Sequence, residues 1–226
     1  KIKMEKFDLI VLGSGPGGYV TAIRASQLGL KTAIIEKENL GGVCLNWGCI
    51  PTKALLKSAQ VFDYLKNAES YGLSIEKADK NFKSVIERSR NVAKTMSKGV
   101  TFLMKKNKIS VFNGFGKLGK ENTIHITDSN NNETVIHSEK IIISTGARSK
   151  ELPNVVQDGE KVIGYREAMN LKNQPKKMTI IGSGAIGIEF AFFYNSMGTE
   201  VTIIEYLDRI IPNEDEDISK ELEKIL

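Results

Sequence analysis

One pattern occurs twice in this chain, and it restricts the possible folds more than any other feature. Residues 6–36 run from an apolar stretch through a glycine-rich turn, a helix-like segment and a second apolar stretch to Glu36. Residues 177–205 repeat this order and end at Glu205. The first glycine of each turn precedes the glutamate by 23 positions in both copies. A strand–helix–strand order repeated at equal spacing predicts two similar α/β units in one chain.

The two glycine-rich turns, GSGPGG and GSGAIG, have the spacing of phosphate-binding loops between a strand and a helix. In such a loop the first glycine makes the tight turn, the second lets a pyrophosphate approach the backbone, and the third lets helix and strand pack closely. The N–H groups at the helix start then face the phosphate. The alternative is that the glycines serve packing only. The predicted nucleotide-binding residues are Gly13, Gly15 and Gly18 in the first copy and Gly182, Gly184, Ile186 and Gly187 in the second.

The two glutamates end the second strand of their units, where a carboxylate can accept hydrogen bonds from the hydroxyls of an adenosine ribose. A carboxylate at this place repels a 2′-phosphate, so Glu205 favours NAD over NADP in the second unit. Either Glu36 or Glu205 could instead only cap the end of a strand.

Two helices and a group of short strands are expected between the repeats. The helices cover Ala54–Glu69 and Asn81–Asn107, and the second has apolar residues on one side. The strand-like runs lie within 108–147, where the turn sequence TDSNNNE at 127–133 predicts a hairpin. We therefore expect an α/β fold of two Rossmann-like dinucleotide-binding units, with a small antiparallel β insertion in the first.

A domain boundary is predicted near residue 150. The segment 148–161 is polar and contains one proline, which suits a crossing between domains. The predicted domains are therefore 1–150 and 151–226. The second has only a strand, a helix and a strand before a last helix, whereas a doubly wound sheet needs further parallel strands. We expect the second unit to be incomplete.

The charge and hydropathy of the chain exclude several classes of function. The net charge of +5 comes mostly from scattered lysines, with no block of five or six like charges, so a nucleic-acid partner is not expected. No apolar run approaches the length of about 18 to 20 residues that a membrane span needs. The opening residues lack the apolar core and cleavage site of a secretory signal. We expect a reducing compartment, the cytoplasm or, in a eukaryote, the mitochondrial matrix.

Both cysteines of the chain, Cys44 and Cys49, lie in the segment GGVCLNWGCIPTK at 41–53. Three interpretations are open. A zinc half-site would need two more soft ligands, and the chain offers only His125 and His137. Two inert thiols in a core are the second. A redox disulfide is the third, and the surrounding glycines and proline favour it, because a helix start lowers the pKa of a thiol.

This segment, together with the glycine turns, ISTGA and GSGAIGIEF, resembles the flavoprotein pyridine nucleotide-disulfide oxidoreductases along essentially the whole chain. Within that family it is similar to the dihydrolipoamide dehydrogenase type. The ending CIPTK is of the lipoamide type, since the glutathione and trypanothione reductases have a lysine where this chain has Thr52. Trp47 departs from the family, which usually has valine there.

The resemblance implies FAD on the first unit and NAD on the second. It implies that Cys49 faces the flavin and that Cys44 exchanges with lipoamide. It also implies that Lys53 approaches the flavin and pairs with Glu189, although both would otherwise be read as solvated charges. The FAD contacts that it implies are Gly13, Gly15, Gly18, Glu36, Lys53, Gly116, Thr145 and Gly146, and the NAD contacts are Gly182, Gly184, Ile186, Gly187, Glu189 and Glu205.

The reaction implied is the oxidation of dihydrolipoyl groups on the carrier protein of a 2-oxoacid dehydrogenase or glycine cleavage complex. Electrons would pass through a Cys44–Cys49 disulfide and FAD to NAD+. The family's thiol-exchange base is a histidine near the carboxyl terminus of a homodimer, and neither His125 nor His137 has that setting. We therefore expect an amino-terminal half without the dimerisation domain, inactive alone. Another NADH-linked disulfide or mercuric reductase, or a non-catalytic nucleotide-binding fragment, are the alternatives.

Overall fold

The computed structural model describes residues 4–226, which divide into two compact units. One unit runs to Pro51 and resumes over Arg90–Arg166, and the other comprises Thr52–Ser89 and Glu167–Leu226. This division differs from the predicted domains, because the segment Thr52–Ser89 belongs with the second repeat. The boundary near residue 150, between an FAD-binding and an NAD-binding domain, stays a prediction.

The strands and helices follow the predicted order along the chain. None of the helices within residues 4–226 is long and apolar enough to cross a membrane. The strands are β1 (Glu5–Lys6), β2 (Leu9–Leu12), β3 (Thr32–Glu36), β4 (Ser110–Asn113), β5 (Phe115–Leu118), β6 (Thr123–Thr127), β7 (Glu133–His137), β8 (Ile141–Ile143), β9 (Lys177–Ile181) and β10 (Glu200–Ile204). The helices are α1 (Pro16–Gln27), α2 (Gly42–Trp47), α3 (Cys49–Lys66), α4 (Phe82–Lys106), α5 (Tyr165–Ala168), α6 (Ala185–Ser196) and α7 (Glu216–Glu223).

A four-stranded parallel sheet in the order β4-β3-β2-β8 forms the centre of the first unit. Strand β2 is buried along its whole length, which explains its continuous apolar sequence, because parallel strands are covered on both faces. Val11 and Ile34 pack on one face with Ala22 of α1 and Met104 of α4. The other face packs against the second sheet, for example on Ile124. The unit therefore has three layers, with this sheet in the middle.

The second sheet of this unit has the order β1-β7-β6-β5 and is the expected insertion. Strands β5, β6 and β7 are antiparallel neighbours, while β1 joins β7 in parallel. The predicted hairpin turn is present, and Asp128 accepts hydrogen bonds there from the N–H groups of Asn130 and Asn132. The run at 108–118 divides into β4 and β5, which belong to different sheets. The break falls at Gly114, where a Cβ would lie 2.6 Å from the carbonyl oxygen of Thr127.

The second unit contains a two-stranded parallel sheet of β9 and β10, crossed by α6. Alternate residues of these strands, such as Ile181 and Ile204, are exposed, in contrast to the buried β2. On α6, Phe193 and Tyr194 are fully buried and pack against Phe82. The α/β fold predicted from the repeat is confirmed, and the two copies share the order strand, glycine turn, helix and strand.

Helix α3 begins earlier than predicted. The prediction placed its start at Ala54, whereas the helix begins at Cys49 and includes Pro51 in its first turn. Proline suits that place, because the N–H groups of the first turn have no partner within the helix. The helix ends at Lys66, and a short 3₁₀ helix, Ala68–Tyr71, continues the chain.

Candidate functional site

The first glycine loop, between β2 and α1, has three glycines in three different situations. Gly13 has a φ of +98°, and a Cβ on it would lie 2.2 Å from the carbonyl oxygen of Ser144. A Cβ on Gly18 would lie 1.9 Å from the carbonyl oxygen of Gly13. A Cβ on Gly15 would meet nothing within 4 Å. The loop therefore needs glycine for its turn and its packing, and it leaves open space over Gly15, where a phosphate is expected.

The second loop, between β9 and α6, repeats this arrangement. Gly182 has a φ of +103°, and a Cβ on Gly187 would lie 2.1 Å from the carbonyl oxygen of Gly182. The space over Gly184 is open within 4 Å. Ile186, in the first turn of α6, is 64% exposed. Both loops have the geometry that suits a pyrophosphate, and nucleotide binding at these residues stays a prediction.

The two predicted glutamates hold the serine that follows the first glycine of their loops. Glu36 Oε2 accepts hydrogen bonds from the N–H group and the hydroxyl of Ser14, at 3.0 and 2.5 Å. Glu205 Oε2 accepts the same pair from Ser183, at 2.8 and 2.6 Å. Each glutamate therefore joins the end of its strand to the glycine loop. Sequence reasoning did not single out these serines, although both copies begin with Gly-Ser-Gly.

The second oxygen of Glu205 is also bound. Its Oε1 accepts the N–H groups of Tyr206 and Leu207 at 2.8 and 3.0 Å. The N–H of Leu207 and the hydroxyl and N–H of Ser183 lower the pKa of Glu205 to about 2. The carboxylate is therefore negatively charged at neutral pH, as the prediction of NAD rather than NADP at this position requires.

The cysteine segment begins directly on the first glycine loop. The N–H of Gly41 donates to the carbonyl oxygen of Ser14 at 3.0 Å. Gly42 has a φ of +61°, and a Cβ on it would lie 2.6 Å from the Cα of Gly15. The two glycines before Cys44 thus allow two backbones to touch. This contact was not predicted, because nothing in the spacing of the two motifs indicates that they meet.

The two cysteines lie on two consecutive helices and not in a short open loop. Cys44 is half-buried on α2, and Cys49 is an exposed thiol at the first position of α3. The residue between the helices is Gly48, where a Cβ would lie 3.1 Å from the carbonyl oxygen of Val43. The expected loop is therefore a tight helix–helix junction. The Cys44–Cys49 disulfide stays a prediction.

Lys53 and Glu189, 136 positions apart in the sequence, form an ion pair in the second unit. The Lys53 Nζ lies 2.6 Å from Glu189 Oε1, and the two side chains are 62% and 28% exposed. Lys53 follows Cys49 by four residues on α3, and Glu189 belongs to the first turns of α6. The contact expected from the resemblance is present, while the role of the pair toward a cofactor stays a prediction.

The remaining predicted FAD contacts lie on β5 of the second sheet and in the segment after β8. A Cβ on Gly116 would lie 2.5 Å from a methyl group of Leu12, so this glycine lets β5 pack on β2. The Cα of Thr145 lies 3.1 Å from the place of a Cβ on Gly13, so the chain after β8 crosses the first loop. Gly146 has a φ of +74° with open space around it. The structure thus gives Gly116 a packing role, and a cofactor role for these residues stays a prediction.

Trp47, noted in the sequence only as a departure, has two arginines near its ring. The guanidinium carbons of Arg90 and Arg166 lie 4.3 and 5.4 Å from the centre of its ring. Arg166 also forms an ion pair with Glu38 at 2.8 Å. Sequence reasoning did not find these arginines, which come from α4 and α5.

Comparison with curated proteins finds relatives that share a single name. A dihydrolipoyl dehydrogenase of Zymomonas mobilis is 50% identical over 95% of this chain and 46% of its own length. One from Rhizobium etli is 48% identical over 97% of this chain and 50% of its own length. One from Bacillus subtilis is 44% identical over 98% of this chain and 48% of its own length. The chain thus spans about half the length of these relatives.

Solved structures share the fold, and a family model covers nearly all of the chain. LpdA from Mycobacterium tuberculosis matches with a TM-score of 0.89 and 25% identity, over 98% of this chain and 49% of its own. The Cu(II) complex of the HOCl-induced flavoprotein disulfide reductase RclA from Escherichia coli matches with a TM-score of 0.84 and 28% identity. This match covers 98% of this chain and 47% of RclA. The model of the pyridine nucleotide-disulphide oxidoreductases matches residues 7–226. The chain therefore belongs to the pyridine nucleotide-disulphide oxidoreductase family.

Proposed function

We propose that the intact protein containing this chain oxidises dihydrolipoyl groups and passes the electrons to NAD+. The observation that carries the proposal is the packing of the cysteine segment on the first glycine loop, where Gly42 abuts Gly15. A cysteine pair built onto a dinucleotide loop suits two-electron transfer between a dithiol and a bound cofactor. Relatives named dihydrolipoyl dehydrogenase, at 42–50% identity, support the lipoyl group as the substrate.

Membership of this family implies FAD and NAD as cofactors, and both glycine loops fit them. The open space over Gly15 and over Gly184 is where the backbone can receive a pyrophosphate. Glu36 and Glu205 lie at the ends of their strands and accept hydrogen bonds from the serines of these loops, at the place that we propose for a ribose. The ionised Glu205 supports NAD over NADP, because it would repel a 2′-phosphate.

The two cysteines divide the thiol chemistry in this proposal. The sulfur of Cys44 exchanges with the dihydrolipoyl dithiol, and the sulfur of Cys49 remains as the thiolate that faces the flavin. The Cys44–Cys49 disulfide takes up two electrons and one proton, which leaves a thiol on Cys44 and a thiolate on Cys49. The dihydrolipoyl group closes into its own disulfide, and its second proton is released to solvent. FAD, when bound, supplies a two-electron carrier between the protein dithiol and NAD+. Lys53, held by Glu189, is proposed to approach the flavin ring.

We propose a lipoyl-bearing carrier protein of a 2-oxoacid dehydrogenase or glycine cleavage complex as the partner. A homodimer is the proposed assembly, and the cytoplasm, or the mitochondrial matrix of a eukaryote, is the proposed location. The chain by itself is expected to be inactive, because His125 and His137 lie on β6 and β7 and do not match the family's exchange base.

The test is a steady-state assay of the intact protein with dihydrolipoamide and NAD+. NADH formation is expected, and Cys44→Ser and Cys49→Ser should each abolish it. On two-electron reduction, a long-wavelength flavin band is expected in wild type and in Cys44→Ser but not in Cys49→Ser. The reverse pattern would exchange the roles of the two sulfurs, and an absence of NADH formation by wild type would reject the lipoyl substrate.

A second candidate is an NADH-linked reductase of another disulfide or of mercury within the same family. The similarity to the disulfide reductase RclA favours it. Oxidation of NADH with such a substrate, combined with no reaction with dihydrolipoamide, would favour this alternative.

A further inference from the structure

Two cationic groups from distant parts of the first unit lie near the indole ring of Trp47. The guanidinium carbon of Arg90, on α4, lies 4.3 Å from the ring centre, and that of Arg166, on α5, lies 5.4 Å from it. Both distances are within the range of about 6 Å in which a cation is attracted to an aromatic face. Trp47 is the single tryptophan of the chain. We name Arg90, Trp47 and Arg166 the arginine–tryptophan stack.

Arg90 fixes one side of this stack to helix α2. One guanidinium nitrogen, Nη2, donates a hydrogen bond to the carbonyl oxygen of Asn46, in the last turn of α2. The other, Nη1, is buried and has no hydrogen-bond partner among residues 4–226. A buried donor without a partner is unfavourable, and the attraction between this guanidinium and the ring of Trp47 offsets part of that cost.

Arg166 joins the ring of Trp47 to the segment that follows β3. Its Nη2 lies 2.8 Å from Glu38 Oε2, and the N–H of Glu38 donates to Glu36 Oε1 at 2.8 Å. Contacts therefore run without a break from the glutamate beside the first glycine loop to the ring of Trp47. Arg166 is about one-third exposed, as is Glu38, so this pair is partly shielded from solvent.

The stack contacts helix α2, which carries Cys44 and ends two residues before Cys49. Cys44 and Trp47 are three residues apart on α2 and share a face of the helix. Trp47 is the last residue of α2, and only Gly48 separates it from Cys49. A helix of six residues is not stable by itself, so its place depends on tertiary contacts.

We propose that Arg90 and Arg166 are positioning residues for the cysteine pair. Their contacts with the ring of Trp47 keep the junction between α2 and α3 in the geometry from which the disulfide closes. A held pair of thiols has a high effective concentration, and this favours the disulfide. A released α2 lowers that concentration, so the disulfide becomes easier to reduce. This inference rests on the proposed function only in taking Cys44 and Cys49 as the redox pair.

The test measures the disulfide equilibrium of the intact protein in buffers of reduced and oxidised dithiothreitol. In this exchange the protein disulfide gains two electrons and two protons, while dithiothreitol loses them and closes into its cyclic disulfide. The fraction of reduced Cys44 and Cys49 is read by alkylation and mass spectrometry, and bound FAD is followed by absorbance. Circular dichroism checks that each variant is folded.

Trp47→Val and Arg166→Gln should each shift this equilibrium about fivefold toward the dithiol, which corresponds to a potential about 20 mV less negative. Arg148→Gln is the matched control, because Arg148 also faces Glu38, at 3.9 Å, and is 72% exposed. It removes the same charge beside the same carboxylate. Among residues 4–226 the cations near the Trp47 ring are Arg90 and Arg166, so Arg148→Gln should leave the equilibrium unchanged.

Three outcomes would overturn the inference. The first is an unchanged equilibrium in folded Trp47→Val. The second is an equal shift in Arg148→Gln and Arg166→Gln, since net charge would then explain the effect. The third is the absence of any Cys44–Cys49 disulfide in oxidised wild type. These results do not depend on dihydrolipoamide, so failure of the lipoyl substrate in the steady-state assay leaves the test of the stack intact.

Discussion

Gly15→Ala and Gly18→Ala add the same methyl group to one loop, and the structure predicts different results for them. A Cβ on Gly15 meets nothing within 4 Å, and the φ of Gly15, −63°, suits alanine. The protein should therefore fold normally, with a free energy of unfolding within about 1 kcal/mol of wild type, since an N-cap exchange of this kind has a small effect. The methyl group occupies the space expected for the pyrophosphate, so FAD binding should be lost.

Gly18→Ala should instead destabilise the fold itself. Its Cβ would lie 1.9 Å from the carbonyl oxygen of Gly13, whereas ordinary contacts begin at 3.4 Å, so the backbone must move by about 1.5 Å. The obstructing atom belongs to the main chain, which cannot turn aside as a side chain does. Overpacking of a core costs about 1–3 kcal/mol, and this rigid overlap is expected to reach the upper end of that range.

The assay combines flavin absorbance per chain with urea unfolding of the purified intact protein, in the presence and absence of added FAD. Gly17→Ala is the matched control, because its Cβ meets only the Ser144 hydroxyl, at 3.8 Å. It should retain both FAD and stability. Full FAD content in Gly15→Ala would refute the assignment of the open space. Equal stability of Gly15→Ala and Gly18→Ala would refute the packing argument.

Three further predictions concern the second unit. The pKa of Glu205 is lowered to about 2 from 4.5, so its hydrogen bonds stabilise the fold above pH 4.5, and this contribution is lost as the pH falls toward 2. Unfolding of Glu205→Gln, followed by circular dichroism, should therefore depend less on pH in this window, and an unchanged acid profile would contradict the assignment. A double-mutant cycle of Lys53→Met and Glu189→Gln should give a coupling free energy of less than about 1 kcal/mol in thermal unfolding, because the pair is largely exposed. Either change should lower the rate of NADH formation, and a larger coupling free energy would show that the pair serves stability instead. Tyr194→Phe removes a buried hydrogen bond of 2.5 Å to a main-chain carbonyl group and should cost about 1–1.5 kcal/mol, while Tyr206→Phe, at a residue that is 97% exposed, should have no effect on stability.

Local features of the site followed from the sequence with few errors. The roles of the three glycines in each loop depend on the turn that connects a strand to a helix, and this turn is encoded within six residues. The predicted start of α3 is five residues too late, because a proline fits a loop as well as a first helical turn. The splitting of the run at 108–118 into two sheets was missed, because a period-2 pattern does not say which neighbour a strand pairs with.

Contacts between distant segments were not encoded in any spacing. Gly42 and Gly15 touch because α2 begins where the first loop ends, and this depends on the path of the chain after β3. The ion pair of Lys53 and Glu189 was expected only from the resemblance, since each residue alone reads as an ordinary surface charge.

By itself, the sequence determined the two repeated loops, the strand-end glutamates and the presence of both cysteines in one segment, because each of these depends on a short run of chain. The tertiary structure alone decided that the cysteine segment lies on the first loop and that two arginines lie near the ring of Trp47. These contacts arise when layers of helix and sheet pack together. Packing brings together residues whose spacing along the chain follows no regular pattern, so the spacing cannot predict them.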